Sequence, residues 1–598
     1  MDNNFLEYYE EELGLIRASA RHFAADFPKV ASRLQLGAHE CPDPYVERLL
    51  EGFAFLTARI SRKQDSGLEE FADAFMNFLY PALVSPIPSR AVLSLVLDMK
   101  ECPAYLEKGS IFEASTLFSK NQSCQYTTED KIPLLPIEFE SIECSVYGAT
   151  DYAVKYGVEA THCLNISYHL LIPFKDIPDR ARFFIDLPNS LAVELLSLIL
   201  ETSAGVIIKS REKQGQEYFL PSMNIVDCLS SEGGRENPLI AHYFREPSHL
   251  CFFDIIGLPN IIADPSLSGE GTLTFLLKAP SPALQMALTN HSILPNCVCI
   301  INQFTKTASR LTKNKRYLQH VVADNTAPND YEILNILEGC AYDFSNRPLF
   351  PIYPFYHVND ENTPHKTSRP NYFSMHRRQL VAPDKQRSSS YTGTEMYTLF
   401  SGPDYLEHHK DIDTISLKVV CSNRDLPLFI RKDAPLTCRN VQGIASAHFI
   451  CPPSDPCAAL LSREKIWKGF EMINMKLETM ASFPQETLAS ILSEELSLLR
   501  SEDNAFATRQ ISGLTSVSMK PIARVIPIMG NLCSTRGWQI TIKLNEEAFG
   551  GIGTYLFARS LSIFLGKMVP LNSFMEIIIR NSNKELWRWT HNAPRPHA

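Results

Sequence analysis

The sequence predicts an α+β, multidomain protein with an N-terminal helical region, β-rich middle domains and a C-terminal α+β module. Three observations lead to this prediction. Apolar residues recur every three or four positions near the N-terminus, strand-like runs punctuated by Gly and Pro follow, and residues 538–545 alternate apolar with polar side chains before another helical pattern. We expect four domains, at residues 1–90, 91–290, 291–460 and 461–598.

The first helical pattern is an apolar seam within the first 27 residues. Its members are spaced by three or four positions, as on one face of a helix: Phe5, Tyr9, Leu13, Ile16, Ala20, Phe23 and Phe27. Pro28 should end this helix, because proline is poorly tolerated inside one. Such a face must leave water. It packs either on neighbouring helices of the same chain or on another subunit.

The second helical pattern, in residues 43–60, begins with a clear start signal. Asp43 can cap the free backbone N–H groups, and Pro44 suits the first helical position. An apolar stripe then follows on one face: Val46, Leu49, Leu50, Phe53, Leu56 and Ile60. We expect this stripe to pack within its own N-terminal bundle, against a third helical stripe in residues 68–79. The first seam is then the face offered to a partner.

The rest of the chain changes its pattern twice. A proline-rich segment at residues 81–90, PALVSPIPSR, indicates a hinge, and strand-like runs follow it. The polar residues 359–395 predict a long mobile loop. Near the C-terminus, a half-buried strand at 538–544, a helix after Gly553 and a closing strand at 574–579 indicate a strand–helix–strand module.

Composition excludes several classes of protein. The 598 residues are 45% hydrophobic and 21% charged, which is typical of a globular chain, and the net charge of −10 argues against nucleic-acid binding through bulk charge. The 15 cysteines follow no regular framework, which fits a reducing compartment. The opening MDNNFLEYYEEE does not resemble a signal peptide, and no apolar run is long enough to span a membrane. We therefore expect a soluble, cytoplasmic protein.

The sequence contains no familiar catalytic motif. The sequence lacks GxxxxGK[ST], HExxH, GxSxG and paired CxxC motifs. The densest group of possible metal ligands is His408, His409, Asp411 and Asp413, whose order matches no defensible ligand spacing, so a solvated loop is favoured. We expect no catalytic residue, no metal and no cofactor. The alternative is a hydrolase or transferase with a non-standard site around His408–Asp413.

A basic segment at residues 366–387 contains six cations with Tyr372 and Phe373 between them: Lys366, Arg369, Arg377, Arg378, Lys385 and Arg387. A solvated loop is the favoured interpretation. Contact with an acidic protein surface, or with a nucleic-acid strand that stacks on the aromatic rings, are the alternatives. The cysteines at 297, 299, 451 and 457 are interpreted as buried free thiols.

The chain resembles the TssF (VasA/ImpG) family of type VI secretion baseplate proteins. The resemblance rests on motifs in the family order: YYEEEL at 8–13, FPKVASRL at 27–34, DPYVERLLEGFAFLTARI at 43–60, LYPALVSPIPS at 79–89, FFDIIGL at 252–258, CSNRDLP at 421–427 and the block from Arg536 to Phe574. The loop at Leu106–Ser110 and the CPPSDPC segment at 451–457 depart from the family pattern.

The resemblance implies a structural role as a component of the baseplate wedge, in the cytoplasm at the baseplate docked to the inner membrane. It implies TssG-like, TssK-like and TssE-like partners, a second copy of the chain in each wedge and a VgrG-like spike hub. Nucleic acid is not expected as a partner, and the membrane complex is expected to make only indirect contact. The candidate interface residues are Phe5, Tyr9, Leu13, Ile16, Phe23, Leu49, Phe53 and Leu56.

Overall fold

The computed structural model describes most of the chain in ordered segments. The described residues are 3–33, 44–79, 84–98, 103–116, 123–174, 176–211, 217–229, 239–264, 269–312, 318–355, 371–380, 389, 391–403, 405, 411–459, 468–469, 477–500, 504–528, 531–550, 553–570, 573–581 and 584–592. The chain forms two compact units, Met1–Leu79 with Ser462–Trp467, and Tyr80–Leu461 with Lys468–Ala598. The four-domain division stays a prediction, whereas the multidomain α+β class is confirmed.

The N-terminal unit is helical. Its helices are α1 (Asn3–Asp26), α2 (Pro28–Arg33) and α3 (Pro44–Leu79). α1 ends just before Pro28, as predicted. The predicted second and third helices are one continuous helix of 36 residues, about 54 Å long. The linking residues 61–67 contain a single glycine and no proline, so little in the sequence interrupts the helix. No described helix is both long and apolar enough to cross a membrane.

A six-stranded antiparallel sheet joins distant parts of the described chain. Its order is Leu436–Arg439, Ile111–Ser115, Ser123–Thr128, Cys297–Ile301, Arg90–Leu97 and Ile444–Cys451. Arg90–Leu97, which directly follows the proline-rich segment, pairs on its two sides with strands some 200 and 350 residues further along the chain. A small ribbon of Tyr105–Leu106 and Ile132–Pro133 completes this region.

Two further described sheets carry short helices. The five-stranded sheet has the order Glu217–Pro221, Gly205–Ser210, Glu270–Leu277, His162–Leu170 and Ile137–Ser145. The four-stranded sheet has the order Ile225–Asp227, Phe252–Ile256, Arg180–Ile185 and Ile293–Pro295. The α-helices of this part are Ala149–Tyr156, Asn189–Ser197, Leu239–Tyr243, Leu258–Ile262 and Pro282–Ala287.

The largest described sheet has eight strands. Its main path is Phe304–Thr307, Thr414–Ser422, Glu332–Tyr342, Pro348–Pro354, Asn371–Gln379, Thr394–Ser401 and Gln319–Val321, with Leu311–Thr312 added beside Thr414–Ser422. A hydrophobic core of side chains that include Phe373, Met375 and Leu417 lies on this sheet.

The predicted mobile loop at 359–395 is wrong for residues 371–379, which form an interior strand of the eight-stranded sheet, and for residues 394–395, which begin the strand Thr394–Ser401. Asn371, Phe373, Met375 and Arg377 are its buried positions. Because two of these four are polar, the alternation typical of a half-buried strand was hard to recognise. Residues 359–370, 381–388 and 390 lie outside the described part of the chain.

The C-terminal module confirms the predicted strand–helix–strand pattern. Its described sheet has the order Leu514–Ile528, Asn531–Leu544, Phe574–Asn581 and Lys584–Asn592, and the middle two strands are parallel. The helix Tyr555–Gly566 connects them and buries Phe557 and Leu561. The helices Leu477–Ser482, Leu488–Leu498 and Ala505–Ser512 precede the sheet. Phe574–Asn581 is not the last strand, since Lys584–Asn592 pairs along its outer edge.

Glu495, on the helix Leu488–Leu498, makes the stability of this module depend on pH. Its side chain is buried, and neither carboxylate oxygen has a hydrogen-bond partner among the described residues. Burial raises the pKa of Glu495 to about 7. An unfolded chain releases this proton above about pH 4.3. The contribution of Glu495 to stability therefore falls as the pH rises from about 4.5 to 7, and stays constant above that range.

We predict that Glu495→Gln stabilises the module at pH 8 by up to about 3 kcal/mol, because the amide is neutral at every pH. The gain should shrink as the pH falls towards 5. Urea unfolding followed by tryptophan fluorescence measures this, since three of the four tryptophans, Trp538, Trp587 and Trp589, lie in the C-terminal sheet. Glu494→Gln is the matched control, because Glu494 is exposed and pairs with Lys468. Equal pH profiles for the two variants would contradict the prediction.

Candidate docking surface

The contact between α1 and α3 is built around two alanines. Ala54 and Ala58 of α3 are completely buried, while α1 contributes four half-buried side chains from the first seam: Phe5, Tyr9, Leu13 and Ile16. Alanine has the smallest side chain that still favours a helix, so it allows a neighbouring helix to come close. One face of α3 is therefore occupied by α1.

Polar and aromatic contacts reinforce this packing. The Arg17 guanidinium forms an ion pair with Glu47, and the Ser61 hydroxyl donates to the Glu12 carboxylate at 2.7 Å. The Phe5 and Phe55 rings meet edge to face, with centroids 5.3 Å apart. Because the Arg17 pair is largely exposed, it adds little energy and mainly favours one alignment of the two helices.

The opposite face of α3 carries a row of large apolar side chains that lie in solvent. Tyr45, Leu49, Phe53, Leu56 and Ile60 are each between 55% and 80% exposed. At 100° per residue, Leu49 and Leu56 point roughly 160–180° away from the alanine face. We call these five residues the α3 stripe. Monomeric proteins seldom expose so continuous an apolar surface unless it binds something.

The structure reverses our expectation for the two apolar faces. We expected Leu49, Phe53 and Leu56 to pack inside the bundle and the first seam to remain open. In the structure the first half of the seam faces α3, and the α3 stripe is exposed. Only the end of the seam stays open, where Phe23 and Phe27 contact each other with ring centroids 5.4 Å apart. The reason is that α1 can come closer to the face of α3 that carries the two alanines, so this face is buried although its side chains are smaller.

The structure does not support the alternative metal or catalytic site at residues 408–413. Asp411 is exposed and Asp413 is half-buried, while His408 and His409 lie outside the described residues. Within the described part of the chain, no group of three His, Cys, Asp or Glu side chains is arranged to hold a metal ion.

The basic segment does not form an exposed patch where it is described. Arg377 is buried and donates to the backbone oxygens of Ile333 and Leu334 at 2.8 and 2.7 Å. Arg378 is exposed and lies over the Tyr397 ring. Lys366, Arg369, Lys385 and Arg387 lie outside the described residues. The solvated-loop interpretation is therefore wrong for Arg377, whose guanidinium binds backbone oxygens within the eight-stranded sheet.

The predicted free thiols are present but differ in burial. Cys297 is buried, whereas Cys299, Cys451 and Cys457 are half-buried, and none of these four described cysteines is in a disulfide. Burial raises the pKa of Cys451 to about 12, so its thiol carries no charge at neutral pH. Such thiols are poor nucleophiles.

Comparison with known proteins gives a consistent result. The family model described as "Type VI secretion system, TssF" matches residues 1–595. A curated relative, the type VI secretion system component TssF1 of Pseudomonas aeruginosa strain PAO1, is 28% identical over 625 aligned residues, which cover 98% of each chain.

Two solved structures have a similar fold. A chain of the TssK-TssF-TssG baseplate subcomplex, determined by cryo-electron microscopy, superposes with a TM-score of 0.70 at 19% identity and covers 92% of this chain and 99% of that one. A chain of the type VI secretion baseplate complex gives a TM-score of 0.55 at 19% identity, covering 99% and 100%. At this level of identity, the similarity concerns the fold.

The two faces of α3 should respond differently to substitution. Ala58→Leu adds three carbons to a fully buried contact and should destabilise the α1–α3 pair by about 1–3 kcal/mol. Leu49→Gln replaces an exposed side chain and should change stability by less than about 0.5 kcal/mol. Amide hydrogen exchange of residues 3–33 and 44–60 measures both effects locally. Faster exchange in Leu49→Gln than in Ala58→Leu would show that the faces are assigned wrongly.

Proposed function

Because the chain belongs to the TssF family of the type VI secretion system, we propose that it is a structural subunit of the baseplate wedge and that its α3 stripe docks on a TssG-like subunit. The observation that carries this proposal is the exposure of five apolar side chains on one face of a helix whose other face is already covered by α1. A helix in this position has a free surface ready for a second chain.

Such a subunit acts by burying surface against its partners, and we therefore propose no catalytic residue, metal or cofactor for it. Covering the α3 stripe removes five large apolar side chains from water, worth roughly 5–10 kcal/mol before the cost of association. Permanent complexes bury more than about 2,000 Å² in total. The α3 stripe is then the anchor of a wider contact, to which the open pair Phe23 and Phe27 can add.

A TssG-like and a TssK-like subunit are the first partners we propose, since a chain of similar fold comes from a TssK-TssF-TssG subcomplex. We extend the proposal to a second copy of this chain in the wedge, a TssE-like subunit and a VgrG-like spike hub. The baseplate is proposed to assemble in the cytoplasm at the inner membrane, with the membrane complex reached only through other subunits. Nucleic acid has no place in this assembly.

We predict that Leu49→Asp or Phe53→Asp abolishes co-purification with the TssG-like subunit. A carboxylate at either position must be desolvated if the stripe is covered, which costs several kcal/mol per charge. Affinity should fall at least a hundredfold, measured by co-expression with an affinity tag on the partner. The free variants should fold normally, because both positions are exposed in the isolated chain.

Val154→Asp is the matched control. Val154 is also an exposed apolar residue on a helix, Ala149–Tyr156, but it belongs to the other compact unit. This variant should co-purify like the natural chain. If Phe53→Asp is folded and still co-purifies fully, the α3 stripe is not the docking surface. If Val154→Asp also fails to co-purify with the partner, the loss of binding is not specific to the α3 stripe.

A further inference from the structure

A cavity with both polar and apolar walls lies in the larger compact unit. Its volume is about 50 Å³, enough for a few waters or one small tetrahedral ion. The lining includes the end of the proline-rich segment, Arg182 on the strand Arg180–Ile185, Cys228 and Leu229, and residues from His242 to Phe252. Its polar side chains are Arg90, Glu129, Asp130, Arg182, His242, Arg245, Glu246, His249 and Ser454.

Two of the arginines at the cavity already have counter-ions. The buried Arg90 donates to Glu129 at 2.7 Å. The buried Arg182 donates to both oxygens of Asp254, at 2.8 and 3.0 Å. These pairs compensate their own charges, so they leave the third arginine to be considered separately.

Arg245 is the arginine of this cavity whose guanidinium contacts no carboxylate in the described part of the chain. It is half-buried, no described residue accepts a hydrogen bond from its guanidinium, and the Asp455 carboxylate acts on it only beyond ion-pair distance. Burial lowers the pKa of Arg245 to about 10, with the Arg90 charge adding to this effect and Tyr391 and Asp455 opposing it, so the group is still charged at neutral pH. A partly desolvated charge with no hydrogen-bond acceptor is costly, and an anion beside it reduces that cost.

His242 supplies a second donor without an acceptor. The Arg90 guanidinium donates to its Nδ1, so the neutral ring must carry its proton on Nε2. That Nε2 is buried and has no hydrogen-bond partner among the described residues. His249 is buried beside the same cavity, and burial lowers its pKa to about 4, which leaves a neutral ring able to donate one further N–H.

From these donors we propose that the cavity binds one small inorganic oxyanion of the phosphate or sulfate type, held by Arg245 and the Nε2–H of His242. A tetrahedral oxyanion accepts several hydrogen bonds at once, which suits two donors that lie three residues apart in one segment of the chain. Glu129 accepts from Arg90 and Glu246 from Ser248, so the half-buried Asp130 is the carboxylate of the described lining without a hydrogen-bond donor. Its charge and that of Asp455 limit the affinity to a modest value.

Equilibrium dialysis of the full chain against labelled orthophosphate tests the proposal at constant ionic strength. The natural chain should bind about one phosphate, with saturation, and sulfate should compete. Acetate as competitor tests whether a flat carboxylate serves as well as a tetrahedral ion. Arg245→Met should weaken phosphate binding at least tenfold, whereas Arg245→Lys, which keeps the charge, should retain most of it. Arg431→Met, at an exposed arginine, is the matched control and should bind normally.

A second pair of variants decides the result if Arg245→Met does not fold. His242→Asn keeps an acceptor near the position of Nδ1 for Arg90 but removes the Nε2 donor, whereas His242→Gln keeps a donor near Nε2. Weaker binding in the Asn variant than in the Gln variant supports the site. The proposal is overturned if the natural chain shows no saturable phosphate binding, or if removal of Arg245 or of the Nε2 donor leaves the affinity unchanged. Stronger competition by acetate than by sulfate would also overturn the tetrahedral ligand.

Discussion

The N-terminal unit depends on the close packing of α1 against Ala54 and Ala58 of α3. Two small side chains at a spacing of four residues create a flat face on which α1 lies, and larger residues there would force the helices apart. The large apolar side chains of α3 consequently lie on the opposite face. A single helix therefore has an inner face for its own chain and an outer face that remains exposed.

The sequence was most informative where a pattern is local. The alternation at Ile540, Ile542 and Leu544, followed by a helix with Phe557 and Leu561 inward, predicted the C-terminal module correctly because both periods are strong and adjacent. The prediction failed for α3, since an apolar stripe shows that a face will be covered without showing by which chain. The two alanines were the available signal, because small residues at a four-residue spacing indicate close helix packing.

Long-range pairing could not be predicted in the same way. Arg90–Leu97 pairs with Cys297–Ile301 and Ile444–Cys451, and nothing within any of these segments specifies partners so distant in the chain. The strand Asn371–Gln379 was missed because Arg377 occupies a buried position. Its guanidinium donates to backbone oxygens of the strand Glu332–Tyr342, two places away in the sheet, a compensation that becomes visible only in three dimensions. The same limit applies to Arg245 and His242, which are far from Arg90 in sequence.

In the assembled baseplate, we propose, a TssG-like chain covers the outer face of α3. Site-specific photocrosslinking tests it most directly, with benzoylphenylalanine placed at Phe53 in the full chain and co-expressed with the partner. Position 53 is a conservative choice, because an aromatic ring is already there and is exposed in the isolated chain. We expect a crosslink to the TssG-like subunit, which disappears when the partner is absent. Crosslinks confined to the chain's own helices, with the complex intact, would contradict it.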